Sequence, residues 1–243
     1  MEQNITDMAQ KVLKRLRERF EKDHVCQTAD ASCFPHLAKR FYKRTQTQLE
    51  KMGFHFIGDL ENLTLKEQKP DPRTFIRVMA DPAGEIVAAF YHVKPRFPWP
   101  LLMWLWGLRP ARLLEFESEF SDGSMLMSTL ITPKADVPPP PKFIRIHYPR
   151  KMPVDLLLKN HQAKLQEKLR VDPDVKPVRI RTLQDVIKMQ NRQLILTREH
   201  LEEIGWVTRE YLYKHGARKE FADQIYAEIQ RLLKKELITG KRF

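Results

Sequence analysis

The chain has 243 residues, of which 42% are hydrophobic and 30% are charged, and its formal net charge is +12. A chain of this length buries a sizeable core, its hydrophobic content excludes wholesale disorder, and its charged content excludes an integral membrane protein. Two cysteines provide no disulfide framework and the N-terminus lacks an apolar signal segment, so we expect a cytoplasmic protein, either free or peripheral to a membrane.

The charge is unevenly distributed along the chain. Residues 1–52 carry 11 Lys and Arg against 7 Asp and Glu, residues 53–141 carry 9 against 11, and residues 142–243 carry 23 against 13. The two ends are therefore basic and the middle is slightly acidic. This asymmetry favours an anionic partner for the ends, and the competing explanation is an ordinary solvated surface.

Two helices are predicted before residue 53. Apolar residues recur three or four positions apart from Ile5 to Phe20, which puts them on one helical face. The segment DHVCQTADASCF interrupts this period. PHLAKRFYKRTQTQLEKMG then restores it, with Gly53 as the stop.

A period of two then predicts an antiparallel sheet of five or six strands. FHFIGDL (54–60) is a candidate first strand, and the turns DPAG (81–84) and SDGS (121–124) each join two alternating segments into a hairpin. After PPPP (138–141), a stiff spacer, KFIRIHY is a sixth strand or an extended edge. Tight turns between consecutive strands indicate antiparallel pairing throughout.

The helical period returns after residue 153 and predicts about four helices, with Thr182 placed to cap one of them. The order of elements indicates an α+β fold, an antiparallel meander sheet with N-terminal helices and a C-terminal helical part packed on it. The predicted regions are basic N-terminal helices that pack on the sheet (1–52), the sheet core (53–148) and a basic C-terminal helical region (149–243).

One segment, between the third and fourth predicted strands, differs in composition from the rest of this charged chain. Residues 97–108 read FPWPLLMWLWGL, hold three of the four tryptophans and are flanked by basic residues. We call residues 93–111, which contain this segment, the Trp-rich connection, and predict that its residues 97–108 anchor the protein to a partner. The predicted anchor consists of Phe97, Trp99, Leu102, Trp104, Leu105 and Trp106, with Lys94, Arg96, Arg109 and Arg112 as its polar rim.

Three destinations for this segment stay open. Packing beneath the chain's own helices is the plainest, because most apolar blocks are core. The second is a protein interface, including self-association, with tryptophan anchors. The third is the membrane interface, where tryptophan lies at headgroup depth and basic residues favour anionic lipid. The apolar run is too short to span a bilayer.

A metal site is a separate hypothesis. His24, Cys26, Cys33 and His36 are four zinc-type ligands within a break between helices. Their spacing fits poorly, since one pair is separated by a single residue. The competing interpretation is two small apolar cysteines and two surface or capping histidines.

Other polar residues give weaker indications of chemistry. Glu115, Glu117 and Glu119 alternate along one strand, which is typical of a solvated sheet face or a docking strip for a basic helix. Among histidines 55, 92, 147, 161 and 200, those at 92 and 147 lie in predicted strands and the one at 161 on an apolar helical face, so these three could converge. The competing interpretation is that a histidine on an apolar helical face is usually a satisfied core residue. The sequence contains no G-x-S-x-G, H-E-x-x-H, Walker A or G-x-G-x-x-G motif.

We therefore predict a binding or scaffold module without catalytic activity, which uses the Trp-rich connection to anchor to a protein partner or a membrane surface. The first alternative is an enzyme of unidentified class with a pocket under the connection, lined by Tyr91, His92 and His147. The second is sequence-independent nucleic-acid binding through the basic helices, which the pI of about 9.7 permits.

Overall fold

The computed structural model describes residues 2–21, 23, 25–34, 37–63, 74–92, 112–130, 137–214 and 218–240. Across these ranges the chain is α+β, as predicted, with six α-helices and one seven-stranded sheet. No helix among them is long and apolar enough to cross a membrane.

Along the described chain, two α-helices with one short strand between them are followed by six strands and then by four α-helices. The helices are α1 (Glu2–Phe20), α2 (Lys39–Lys51), α3 (Val154–Val171), α4 (Leu183–Glu203), α5 (Arg209–Lys214) and α6 (Lys219–Thr239). The strands are β1 (Cys26–Thr28), β2 (His55–Asn62), β3 (Thr74–Ala80), β4 (Val87–His92), β5 (Arg112–Glu119), β6 (Met125–Thr129) and β7 (Phe143–His147).

The sheet is mixed, which corrects the prediction of five or six purely antiparallel strands. Its strands lie in sequence order, and all neighbours pair antiparallel except β6 and β7, which pair parallel. Phe143 at the start of β7 is the register partner of Met125 at the start of β6, so the chain returns to its starting end between these strands. Only a long crossover permits this, and residues 130–142 supply it. The additional strand, β1, is three residues long, too short to show a period of two.

The described chain packs into two compact units. Unit 1 comprises Met1–Asp23, Pro133–Pro140 and Arg192–Phe243, and unit 2 comprises His24–Thr132 and Pro141–Asn191. This is a division by packing, whereas the three consecutive regions predicted above are a division by chain order and stay a prediction.

Unit 1 is built around α1 and α6. Leu13 and Leu16 of α1 and Ile229 of α6 are buried in one apolar cluster. At its margin, Arg17 donates two hydrogen bonds to the Glu236 carboxylate, at 2.9 and 2.6 Å. A two-pronged pair of this kind fixes the two helices in register as well as attracting them.

Unit 2 is the sheet with a cover on each face. We call the face under α2 and α3 the helix face; its core includes Phe75, Phe90 and Phe116. We call the other the segment face, because residues 178–189 cover it and bury Ile180 and Met189 there. The central strands are thus buried on both sides, which explains why they are rich in apolar residues at successive positions.

A polar network holds α2 against the sheet. Arg77 of β3 donates to both carboxylate oxygens of Asp59 at 2.7 Å and to the amide oxygen of Gln46 at 2.9 Å. The Tyr42 hydroxyl donates to the backbone carbonyl of Phe75 at 3.0 Å. The bonds from Arg77 to Gln46 and from Tyr42 to Phe75 join α2 to the sheet. Because they are directional, they fix the position of α2 more narrowly than apolar packing alone.

Two predicted local features are confirmed. Thr182 caps α4, because its hydroxyl accepts from the Asp185 amide at 3.2 Å while the Asp185 carboxylate accepts from the Thr182 amide at 3.0 Å. Both Asp-containing hairpin turns form, with Asp81 accepting from the Glu85 amide and Asp122 from the Ser124 amide.

The two turn glycines provide a test of how the segment-face cover is held. Gly84 and Gly123 both have left-handed backbones, with φ of 74° and 76°. A Cβ at Gly84 would lie 2.8 Å from the Ile180 carbonyl oxygen, whereas one at Gly123 would meet only Lys142 Nζ at 3.9 Å. We expect Gly123→Ala to cost about 1–2 kcal/mol of unfolding free energy for the backbone alone, and Gly84→Ala to cost more. Urea unfolding of both variants measures this, and equal costs would contradict the close approach of residue 180.

Candidate functional site

The two ends of the sheet differ in the connections that they carry. At one end, tight turns join β3 to β4 and β5 to β6. At the other end, the connections from β2 to β3 and from β4 to β5 begin and end, and the crossover from β6 to β7 begins. We call this second end the open end. Long connections on a rigid scaffold are where binding residues concentrate.

The Trp-rich connection begins and ends at the open end. It joins His92 to Arg112, which are direct register partners in β4 and β5. The predicted anchor residues Phe97, Trp99, Leu102, Trp104, Leu105 and Trp106 lie outside the described residues, as do Lys94, Arg96 and Arg109 of the rim. Arg112 is the one member of the set that is described.

Arg112 is exposed and lies over an aromatic ring of α2. Its guanidinium carbon is 5.6 Å from the centre of the Phe41 ring, which is within the range of a cation–π contact. This contact shows that the first residue after the connection lies beside the first turn of α2.

Sequence reasoning missed two further basic residues at the open end. Arg150 and Lys151 follow the last residues of β7 and precede α3, and both are exposed. The Tyr148 amide donates to the Thr129 carbonyl at 2.8 Å, which keeps this short link at the end of β6. In the sequence, Arg150 and Lys151 belong to the run YPRK directly after a predicted strand. This run indicates the open end only if β7 is parallel to β6.

The carboxylate row is mostly buried, which corrects the expectation of a solvated face. Glu117 and Glu119 are 6% and 4% exposed, and Glu115 is half-buried. Glu117 lies in register between Val87 of β4 and Met127 of β6, on the segment face. Alternation along one strand does not reveal such apolar neighbours or the cover that residues 178–189 provide.

Two of the predicted histidines, His147 and His161, are kept apart. His161 lies on the helix face, whereas His147 is exposed and in register with Thr129, which pairs with Glu115 on the segment face. Tyr91 is on β4 and His147 on β7, three strand spacings apart, or about 14 Å. The side chain of His92, the third residue of the predicted pocket, lies outside the described residues.

His161 is a satisfied core residue, as its position on an apolar helical face predicted. Its Nε2 is 3.0 Å from the Ser118 hydroxyl and its Nδ1 is 2.9 Å from the Ser128 hydroxyl. Ser118 donates its own proton to the Glu85 carbonyl at 2.7 Å. Nε2 is therefore the protonated nitrogen, and Nδ1 accepts from Ser128. All three side chains are buried, so the network joins α3 to the sheet and has no access for a substrate.

Burial also determines the protonation of His161, lowering the pKa of the imidazole to about 3. In the unfolded chain the pKa is about 6.5, so between these values only the unfolded chain takes up the proton. Stability is therefore complete above pH 6.5 and falls as the pH falls below it.

Through this group, we expect the unfolding free energy of unit 2 to fall as the pH drops below 6.5, at a rate that approaches about 1.4 kcal/mol per pH unit near pH 5. His161→Gln should be less stable but should lose that dependence, because glutamine keeps a donor and an acceptor without titrating there. Urea unfolding followed by the infrared sheet band measures it. His55→Gln, at an exposed histidine, is the control that should keep the dependence. An unchanged slope in His161→Gln would contradict the assignment.

The predicted zinc set is only half described. Cys26 is half-buried and its thiol is 3.7 Å from the Gln190 amide oxygen, while Cys33 is exposed. His24 and His36 lie outside the described residues. Within the described ranges, no group of three or more histidine, cysteine, aspartate or glutamate side chains is arranged to hold a metal ion.

The two thiols should differ in reactivity. Burial raises the pKa of the Cys26 thiol, so less of it is thiolate at neutral pH, and thiolate is the reactive form. We expect Cys33→Ser, which keeps Cys26, to react with a disulfide reagent more slowly than Cys26→Ser, which keeps Cys33. Equal rates would contradict the burial of Cys26. Protection of both thiols in the unmodified protein by equimolar Zn²⁺ would support the zinc set.

The described residues thus contain an open sheet end with exposed basic side chains, and a buried histidine whose two ring nitrogens both have partners. The chain matches no protein-family model, no curated protein and no solved structure. Its function therefore has to be inferred from the chemistry of its own residues.

Proposed function

We propose that the protein is a non-catalytic binding or scaffold module, and that the Trp-rich connection is its anchor to a protein partner or a membrane surface. The observation that carries this proposal is the register of His92 and Arg112. Adjacent antiparallel strands are joined by as few as two residues. Nearly all of residues 93–111 are therefore surplus to the connectivity of the sheet, and a connection of this length is usually either functional or a linker.

The surroundings of the connection support an anchor. Arg112, Arg150 and Lys151 are exposed at the same end of the sheet. In the sequence, Lys94, Arg96 and Arg109 flank the three tryptophans, so the proposed anchor has basic residues on both sides of it along the chain. Aromatic residues bordered by cations suit a protein hot spot with a charged rim and a bilayer interface equally well.

Tryptophan fluorescence tests the anchor directly, because the fourth tryptophan is a built-in reference. Trp206 is 4% exposed. Trp206→Phe leaves the three tryptophans of the connection as fluorophores, and the triple variant Trp99→Phe/Trp104→Phe/Trp106→Phe leaves Trp206 alone. We expect acrylamide to quench the first protein several-fold more strongly than the second. Equally weak quenching in both would mean that the connection is part of the core, and would overturn the proposal.

A second measurement separates the two classes of partner. Vesicles of anionic phospholipid should shift the emission of Trp206→Phe to shorter wavelength if the anchor enters lipid. A molar mass that rises with concentration, and that Trp104→Ser/Trp106→Ser returns to the monomer value, indicates self-association. The double variant must keep the melting temperature of the parent protein, since a large loss of stability indicates buried tryptophans instead.

A further inference from the structure

The exposed face of α2 carries a dense array of positive charge. The helix exposes five cations, namely Lys39, Arg40, Lys43, Arg44 and Lys51. Its one acidic residue, Glu50, accepts a hydrogen bond from Gln46 at 2.8 Å. A shallow groove of about 460 Å³ follows this face and is lined by Arg40, Lys43, Arg44, Thr47, Gln48 and Lys51, with no acidic residue among them.

These cations differ from many others in the described chain, which have carboxylate partners. Lys164 is 2.6 Å from Glu167, and Arg231 is 2.7 Å from Glu228. None of the five cations of α2 forms an ion pair with a described residue. Lys39 and Lys43 are one helical turn apart, as are Arg40 and Arg44, and like charges at this spacing repel each other. An anionic partner would relieve that repulsion.

The positions of the cations suit a linear anion. With 3.6 residues per turn, Lys39 and Lys43 lie along one row, and Arg40, Arg44 and Lys51 along another. Thr47 lies between the rows. From Arg40 to Lys51 the second row extends about 16 Å at 1.5 Å per residue, long enough to meet several successive phosphates of one strand.

The array is held rigidly before any partner arrives. The opposite side of α2 is buried through Phe41, Tyr42, Thr45 and Leu49. The bonds of Arg77 to Gln46 and of Tyr42 to the sheet fix the helix further. Binding therefore has no conformational-entropy cost for ordering this helix, and this favours affinity.

The chemistry of the face selects the kind of partner. Its exposed residues include no apolar or aromatic side chain, so it has nothing to insert into a bilayer and nothing on which to stack unpaired bases. Phosphate oxygens presented at regular intervals are the groups that such cations bind best. We infer that the exposed face of α2 binds the phosphate backbone of duplex nucleic acid independently of sequence, as a second binding surface beside the proposed anchor.

Salt dependence of duplex binding tests this inference. Fluorescence anisotropy of two labelled duplexes of unrelated sequence is measured with the full chain over a range of KCl concentrations. The test variant is Lys43→Gln/Arg44→Gln. The control is Lys159→Gln/Arg179→Gln, which removes one lysine and one arginine from exposed positions elsewhere in unit 2. Matching melting temperatures establish that both variants are folded.

We expect the two duplexes to bind equally well. Affinity falls as salt rises, and the plot of log affinity against log salt should be less steep in the test variant by about 2. This follows from two lost phosphate contacts at roughly 0.9 each. At about 0.1 M salt its affinity should be at least tenfold weaker. The control removes the same net charge from another surface. Its affinity and slope should therefore differ from those of the unmodified protein by less than those of the test variant do.

Three outcomes would overturn the inference. In the first, the test variant and the control weaken duplex binding equally. In the second, no salt-dependent duplex binding is found. In the third, the protein does not bind duplex but binds anionic vesicles, and the test variant loses that vesicle binding. The last would assign the face to lipid headgroups. The anchor variant Trp104→Ser/Trp106→Ser should bind duplex normally, so failure of the anchor proposal and failure of this inference are distinguishable.

Discussion

The burial of the sheet on both faces is the constraint on which the rest of unit 2 depends. Strands β3 to β5 place apolar side chains on both sides, as Phe90 and Ala89 do on the helix and segment faces. Each face needs a cover, and apolar area left in water would cost about 25 cal/mol per Å². Helices α2 and α3 cover one face and residues 178–189 the other. The outward sides of these covers are then free to carry charge.

The proposed functions follow from what this arrangement leaves exposed. The tight-turn end of the sheet is closed by hydrogen bonds within each turn and by the contact of Gly84 with Ile180. The open end carries the long connections and the exposed cations Arg112, Arg150 and Lys151. The outer side of α2 is a different surface, along the strands rather than at their ends. A scaffold that joins two partners is consistent with two such surfaces on one rigid unit.

Local chemistry made part of this structure predictable. The Asp81 and Asp122 turns and the Thr182 cap depend on residues within five positions of one another, and each was predicted from its own short segment. The parallel pairing of β7 was not predictable, because Phe143 meets Met125 only after the crossover has closed. The burial of Glu117 and Glu119 was missed for the same reason, since their neighbours come from other strands and from a distant cover. The place of Arg150 and Lys151 at the open end was also not predictable, because it depends on the direction of β7.

The assembly of unit 1 from separate parts of the chain has a consequence for folding during synthesis. The α1 residue Thr6 donates to Glu228 of α6, 222 positions further along. Part of the packing on the buried side of α1, where Leu13 and Leu16 lie, is therefore missing until α6 has been made. The hairpins of unit 2 depend on nearby contacts and form early, whereas α1 stays exposed to chaperones, or to aggregation, until the C-terminal helices emerge.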